Sequence, residues 1–246
     1  MKSVAKEPFV QDEKLDTRDK LILVAIRMFA EQGFAGVSMR TINSAAGTRN
    51  SSAVHYHFGN KMGIIQAIFD KLQSQLRPIF DEVTRDLAVR QQQGKLVIED
   101  IVMAIQIPFW YLYNTPGYGK HAVKLIARLV QEADDDMKVL YNRYMQEPAS
   151  GLYELAHKLL PNKPEHQLRF QMIHCFMATI SGLATVDLMD NTPLGDLRFE
   201  QELEMMLSAV QYAAHGMGTE SGRLALDMEF WGRYAEYWMP PNVLGQ

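Results

Sequence analysis

Apolar residues recur at helical spacing along most of the chain, and this pattern predicts an all-α protein. The first run extends from Leu21 to Phe29, behind a capping residue at Asp16 or Thr17. We expect this helix to end at Gly33. A longer run begins after Asn60, which with Gly59 is a signal for the start of a helix, and reaches Leu87, with a kink or interruption expected at Pro78. Its end is predicted at residues 91–94, which read Gln-Gln-Gln-Gly.

The remainder of the chain also has helical periodicity, and no segment alternates as a half-buried strand does. Prolines and glycines divide it into helices predicted at about 95–113, 117–132, 135–160, 164–189 and 198–215. An aromatic-rich stretch, 221–238, is predicted to be a further helix packed on the body. A membrane-surface role is the alternative, but Asp227, Glu229 and Glu236 lie on the same stretch.

One short segment, from Ser38 to Lys61, carries a recognisable motif. A short helix capped by Ser38 stops at Gly47, and a tight turn follows. A second short helix is predicted to start at Asn50 or Ser51 and to end in the aromatic run His-Tyr-His-Phe at 55–58. Two short helices joined by a turn that contains glycine describe a helix-turn-helix, whose second helix enters the major groove of DNA.

This segment resembles the N-terminal DNA-binding domain of the tetracycline-repressor (TetR) family of transcriptional regulators. The resemblance covers about residues 17 to 70, and between Gly47 and Phe58 this chain carries one residue more than is usual in the family. It implies a polar tail at 1–16, a helix-turn-helix domain at 17–62, and a helical ligand-binding and dimerisation domain at 63–246. The matching residues are Ala25, Phe29, Gly33, Phe34, Val37, Ser38, Arg40, Ile42, Ala45, Ala46, Gly47, Tyr56, His57, Phe58, Asn60 and Lys61.

A recognition helix must bring hydrogen-bonding groups to base edges while the residues around it hold phosphates. Arg49 suits a bidentate contact to guanine, and Asn50 suits adenine or acts as a helix cap. The resemblance implies backbone contacts for Tyr56 and Lys61. Arg40 lies where free amides attract phosphate, although a solvated surface charge is the alternative. The predicted DNA contacts are Ser38, Arg40, Thr48, Arg49, Asn50, Ser51, Ser52, His55, Tyr56 and Lys61.

The charge distribution favours DNA binding by the N-terminal part. The whole chain has a net charge of −4, but residues 1–62 hold nine Lys and Arg against six Asp and Glu. The remainder holds 16 against 23, so phosphate would be attracted to one end only. The single cysteine, Cys175, excludes an internal disulfide and predicts a cytoplasmic protein. No apolar run approaches the ~18 residues that a membrane span needs, so no membrane partner is expected.

The resemblance further implies a homodimer that reads a palindromic operator in double-stranded DNA, and a small effector held by the body. Two heads about 34–36 Å apart read more bases than one. Small and apolar residues on two late helices predict the dimer interface, from Ala178, Ser181, Gly182, Leu203, Met206, Leu207 and Val210. The 15 methionines suggest a hydrophobic or aromatic effector, in a pocket formed by Phe109, Trp110, Tyr113, Tyr118, Met145, Met172, His174, Cys175 and Met177.

Two other classes of protein fit the chain less well than a ligand-responsive repressor. An enzyme is disfavoured because the chain has no GxSxG, HExxH, P-loop or paired-cysteine motif, and adjacent His174 and Cys175 diverge on a helix. His55 and His57 also point to different faces, so neither a metal nor a cofactor is expected. A helical interaction protein without DNA binding would not need Arg40, Arg49, Tyr56 and Lys61 around one short helix. Co-repression or activation stays open as the regulatory sign.

Overall fold

The structure, a computed structural model, describes residues 15–48, 52–132, 135–193, 195 and 202–219. These residues form helices throughout, and the described part contains no β-strand beyond an isolated bridge between Thr192 and Gly195. The predicted all-α class is confirmed. The helices are α1 (Thr17–Gly36), α2 (Met39–Ala45), α3 (Ala53–Phe58), α4 (Lys61–Gln92), α5 (Ile98–Tyr113), α6 (Gly119–Glu132), α7 (Asp135–Leu159), α8 (Glu165–Ala184) and α9 (Glu202–Gly218).

The N-terminal head is built from α1, α2, α3 and the start of α4. In it, α1 contacts the other three helices, and α3 contacts both α2 and α4. Asp16 caps α1 as predicted, through its carboxylate and the Asp19 amide at 2.7 Å. The predicted end of α1 at Gly33 is an interruption instead, because Gly33 has a φ of 73° and one more short turn extends to Gly36. Fully buried Leu21, Ile26 and Phe29 face the core, which also contains Ile42 and Ile64.

The long helix α4 leaves the head and packs against α5 and α7 in the body. It continues through Pro78, so the interruption expected there as one alternative was wrong, and the other alternative, a kink, stays a prediction. Proline removes one bond to the carbonyl of Ser74, but both residues are exposed and water can take the place of that donor. The helix ends at the predicted place, with Gln93 as its cap and Gly94 at a φ of 67°.

In the body, α5 lies at the centre and contacts α4, α6, α7, α8 and α9. The predicted helix at 164–189 ends earlier than expected: α8 stops at Ala184, and Val186–Asn191 forms a 3-10 helix. The change occurs at Thr185, whose amide and hydroxyl both donate to the Ser181 carbonyl, at 3.1 and 2.7 Å. The predicted aromatic segment at 221–238 lies outside the described residues.

Candidate DNA-binding site

A reciprocal capping box begins α2. The Ser38 amide donates to the Thr41 hydroxyl at 3.0 Å, and the Thr41 amide donates to the Ser38 hydroxyl at 3.1 Å. Thr41 therefore completes a motif in which only Ser38 was singled out from the sequence. Both Ser38 and Arg40 are exposed at this helix start, where an anion would meet the positive end of the helix dipole.

The turn after α2 is closed by side chains as well as by a glycine. Gly47 has a φ of 64°, a left-handed conformation that suits glycine. The Thr48 hydroxyl donates to the Asn43 carbonyl at 3.2 Å, so Thr48 faces back into the turn. Three of the predicted base-contacting residues, Arg49, Asn50 and Ser51, lie outside the described residues.

The recognition helix α3 begins later than predicted, at Ala53, with Ser52 in the N-cap position. Ser52 makes no side-chain capping bond to the helix. The Val54 amide, in the first turn, instead donates to the side-chain oxygen of Asn43 at 3.3 Å. Asn43 is buried, with 6% of its surface exposed, and it caps α3 from α2. Asn43 was not predicted from the sequence. The available signal was its position, as a polar residue, on a face of α2 whose other residues are small or apolar.

The two faces of α3 differ sharply in burial. Ala53 and Val54 are buried in the head, and Phe58 packs against the core with Arg18 over its ring at 5.6 Å. On the other side, Tyr56 is 83% exposed and His55 is also exposed. The apolar inner face thus fixes the helix, and the exposed side chains are free to reach a duplex.

His55 has a defined tautomer in this arrangement. Its Nδ1 lies 2.9 Å from the Gly59 carbonyl, which can only accept a hydrogen bond. Nδ1 must therefore carry the proton, which leaves Nε2 of the neutral ring as an acceptor. An acceptor at this position matches an amino group on a base edge, such as N6 of adenine.

Lys61, predicted to contact the DNA backbone, is directed towards α1. Its half-buried Nζ donates to the Phe34 carbonyl and lies 5.7 Å from the centre of the Phe29 ring. Burial lowers the pKa of Lys61. The residue therefore links the first turn of α4 to the end of α1.

The start of α4 requires close backbone packing against α3. Asn60 caps the helix as predicted, through its side-chain oxygen and the Gly63 amide at 2.9 Å. A Cβ atom at Gly63 would lie only 1.9 Å from the Phe58 carbonyl oxygen, so any larger residue would separate the two helices. Gly63 was not predicted as a site residue, because a lone glycine near a helix start has no distinctive pattern.

The residues predicted to form one effector pocket are divided between two cavities. Trp110, His174 and Cys175 line a cleft of about 780 Å³ between α5, α8 and α9. Phe109 and Met145 line an apolar cavity of about 40 Å³ enclosed by α4, α5, α6 and α7. The remaining four, Tyr113, Tyr118, Met172 and Met177, are not among the described residues that line either cavity.

The cleft between α5, α8 and α9 contains one unusual polar group. Gln106 lines it with only 3% of its surface exposed, and its side-chain oxygen has no hydrogen-bond partner among the described residues. Burial of an unpaired amide oxygen costs about 1–3 kcal/mol, so a ligand donor at this position would be favourable. Burial raises the pKa of the neighbouring Cys175 thiol to about 11, which keeps it protonated and unreactive at neutral pH.

The predicted dimer residues are exposed or partly exposed, with one exception. Ala178, Ser181, Leu203 and Leu207 are exposed on α8 and α9, and Gly182 and Met206 are half-buried. Val210 is only 5% exposed and packs within the protomer, so its assignment to the interface was wrong. The same two helices expose Phe170, Ile173, Met177 and Tyr212, which were not predicted as interface residues.

Within the part of the chain that the structure describes, no cluster of three or more His, Cys, Asp or Glu could hold a metal ion. Of the helices described, none is both long and apolar enough to span a bilayer.

Fold and site together define an all-α helix-turn-helix protein with a helical body. Residues 21–68 match the model for "Bacterial regulatory proteins, tetR family". The N-terminal helix-turn-helix domain is thus one of the tetR family, as the sequence resemblance predicted. That family consists of transcriptional regulators rather than enzymes.

A curated protein is also similar to part of this chain. The HTH-type transcriptional regulator TtgW of Pseudomonas putida is 29% identical over 86 residues. The match covers 35% of this chain and 61% of TtgW, so it leaves more than a third of that relative unmatched.

Salmonella enterica GusR is similar in fold, with a TM-score of 0.53 at 13% identity, over 85% of this chain and 99% of its own. A transcriptional regulator from Aquifex aeolicus VF5 is more distant, with a TM-score of 0.46 at 14% identity, over 82% of this chain and 98% of its own.

Proposed function

We propose that the protein binds a palindromic operator in double-stranded DNA as a homodimer, and that it represses transcription until a small effector releases it. The observation that carries the proposal is the division of α3 into a buried inner face and an exposed polar face. Ala53 and Val54 hold the helix in the head, whereas Tyr56 and His55 are left outside. The single cysteine and the family support a cytoplasmic location.

DNA binding is tested by fluorescence anisotropy with the DNA upstream of the protein's own gene, against scrambled DNA, at two salt concentrations. Selective binding that weakens with salt is expected, because phosphate contacts release counterions. Arg49→Ala is expected to abolish selectivity while leaving weak, salt-dependent binding. Equal binding to scrambled DNA across a tiled set of neighbouring promoters would contradict the proposal.

Homodimer formation is supported by the apolar surface of α8 and α9. Ile173 is 61% exposed, Leu203 53% and Leu207 47%, a concentration of apolar area that a monomer would leave in water. We expect light scattering to give twice the chain mass of 28.1 kDa. Ile173→Glu and Leu207→Glu should give monomers, whereas Val139→Glu, at a 63% exposed site on α7, should not. A monomeric wild type would refute this part.

Effector binding is supported by the cleft between α5, α8 and α9. Its volume of about 780 Å³ falls within the range of ligand pockets, roughly 300–1,000 Å³, whereas the 40 Å³ cavity would first have to expand. The described lining contains no Lys, Arg, Asp or Glu, which favours a neutral hydrophobic or aromatic molecule. Such a molecule would gain from one hydrogen-bond donor directed at Gln106.

A paired set of probes tests this site: 1-naphthol, which carries a donor, and 1-methoxynaphthalene, which does not. Trp110 lines the cleft, so bound probe should quench its fluorescence, and Trp110→Phe should remove that signal. We expect the wild type to bind the naphthol with about tenfold higher affinity, the contribution expected of one hydrogen bond, and Gln106→Leu to bind both probes alike. Full release from the operator requires an effector to prefer the released conformer by about 10⁴-fold. Equal binding of both probes would argue against a role for Gln106.

A further inference from the structure

The head and the body meet at a broken hydrogen bond of α1. In an uninterrupted helix the Phe34 amide would donate to the Ala30 carbonyl, four residues earlier. Gly33 leaves the helical conformation, with φ 73° and ψ 171°, and that bond is replaced. The Ala30 carbonyl accepts from Nε of Arg128 at 2.8 Å, and the Phe34 amide donates to Glu132 at 3.4 Å.

Both replacement partners come from α6, and they are paired with each other. The Arg128 guanidinium donates to the Glu132 carboxylate at 2.8 Å, and its third nitrogen donates to the Glu31 carbonyl at 3.4 Å. One arginine thus satisfies two carbonyls of α1 that the interruption at Gly33 leaves without their helical partners. The planar fork of an arginine suits three acceptors at once, which a lysine cannot match.

The fit of α6 on α1 is close at this point. A Cβ atom at Gly33 would lie 3.1 Å from the Glu132 carboxylate and 3.3 Å from the Arg128 guanidinium. The same two helices also meet where His121 Nε2 lies 3.4 Å from a Glu31 carboxylate oxygen. Phe34 also connects this contact to the recognition helix. Its carbonyl accepts from Lys61 of α4, which lies three residues after the end of α3.

From these contacts we infer that Arg128 and Glu132 are positioning residues, which fix the angle of the DNA-binding head on the body. In a dimer whose bodies are joined, that angle sets the separation and phase of the two recognition helices. The inference rests on the proposed function for its effect on DNA, but the angle itself is a property of the protein alone. Arg128→Gln removes the charge and the fork while keeping a polar, unbranched side chain.

The angle is measured without DNA by spin labels at Ser44→Cys in the head and Lys158→Cys in the body, both at exposed sites. The native Cys175 is buried and its pKa is raised to about 11, so it should not compete for the label. Labelled protein diluted with unlabelled protein reports the distance within one protomer. We expect one narrow distance peak in the wild type and the loss of that peak in Arg128→Gln.

Matched controls separate positioning from general destabilisation. Arg169 forms an ion pair with Glu165 at the same four-residue spacing on α8, at 2.9 Å, away from the head. Arg169→Gln should keep the narrow peak, and Arg128→Lys should restore it in part. A narrow, unshifted peak in Arg128→Gln would overturn the inference, whatever the protein's relation to DNA.

The effect on DNA is measured with an operator that the wild type selects from a random pool, with and without two base pairs inserted at its centre. The insertion turns one half-site by about 70° relative to the other. We expect the wild type to disfavour the longer site by about tenfold or more, and Arg128→Gln to bind both alike at a temperature where both proteins are folded. Equal loss of affinity for both sites would indicate a merely structural role and overturn the inference. Failure of the wild type to select any DNA would refute the proposed function, and the spin-label distances would still decide the inference.

Discussion

The Val54 amide donates to the side-chain oxygen of Asn43 across the turn of the helix-turn-helix, at 3.3 Å. Asn43 thereby caps the recognition helix from the helix before it, in place of the residue at the N-cap position. The bond is buried, so water cannot replace the asparagine oxygen if it is removed.

We therefore expect Asn43→Ala to destabilise the protein by about 1–3 kcal/mol, the cost of a buried amide without a partner. DNA affinity should fall as well, because the recognition helix loses its support. Thermal unfolding and anisotropy on the same operator measure the two effects. Ser44→Ala, at the adjacent exposed position, should change neither. An Asn43→Ala protein with wild-type stability would show that the cap is dispensable.

Gly33 occupies a backbone region, φ 73° and ψ 171°, that is populated essentially by glycine alone. We expect Gly33→Ala to cost about 1–3 kcal/mol of unfolding free energy, from backbone strain and from contact with Glu132. Gly36→Ala, three residues later, is the control, because its added Cβ would meet only Gln32 at an ordinary 3.6 Å. Chemical denaturation of both variants measures the difference. Similar stabilities would mean that α1 can run through Gly33 without the interruption.

Tyr56 projects from the recognition helix with 83% of its surface exposed. Loss of its hydroxyl in Tyr56→Phe should weaken operator binding by about 2–10-fold, the value of one hydrogen bond, with no change in melting temperature. Tyr111→Phe, at a 52% exposed site on α5, should bind as the wild type does. Anisotropy titrations at one fixed salt concentration make the comparison. If Tyr56→Phe binds the operator as tightly as the wild type does, the Tyr56 hydroxyl does not contact the DNA backbone.

Tyr144 joins α7 to α4, because its hydroxyl donates to the Asp70 carboxylate and its ring stacks on Phe69 at 5.2 Å. Burial, together with that carboxylate, raises the pKa of Tyr144 to about 12. The free tyrosine ionises near pH 10, so the unfolded chain loses this proton first. The stability that Tyr144 contributes should be complete below pH 10 and should decline as the pH rises from about 10 to 12, by up to about 1.4 kcal/mol per pH unit.

The measurement compares unfolding free energies of the wild type and Tyr144→Phe across this alkaline range. Their difference should shrink as the pH rises, because phenylalanine has no proton to lose. Asp70→Asn, which removes the carboxylate, should leave the onset of the decline near pH 10 and end the decline at a lower pH. A difference that stays constant through pH 12 would contradict the assignment.

Local rules were sufficient for much of the fold. Asp16, Ser38 and Asn60 cap their helices as predicted, since each needs only an amide two or three residues ahead. The helix ends at 92, 113, 132 and 159 lie within two residues of their predicted positions, where glycine, proline or polar residues follow. The spacing of these signals, and of the apolar positions between them, also predicted the all-α class and the motif by which the family was recognised.

Only the tertiary structure decided which side chains serve the site. Asn43 caps α3 from another helix, Lys61 is directed at α1, and Val210 is buried within its own protomer. The residues predicted for one effector pocket are separated because α5 has different neighbours on its different faces. Sequence periodicity predicts that a helix has a buried face, but the partner of that face depends on contacts between residues far apart in the chain. The bonds of Arg128 to α1 span 97 and 98 residues, and no local pattern encodes such a pairing.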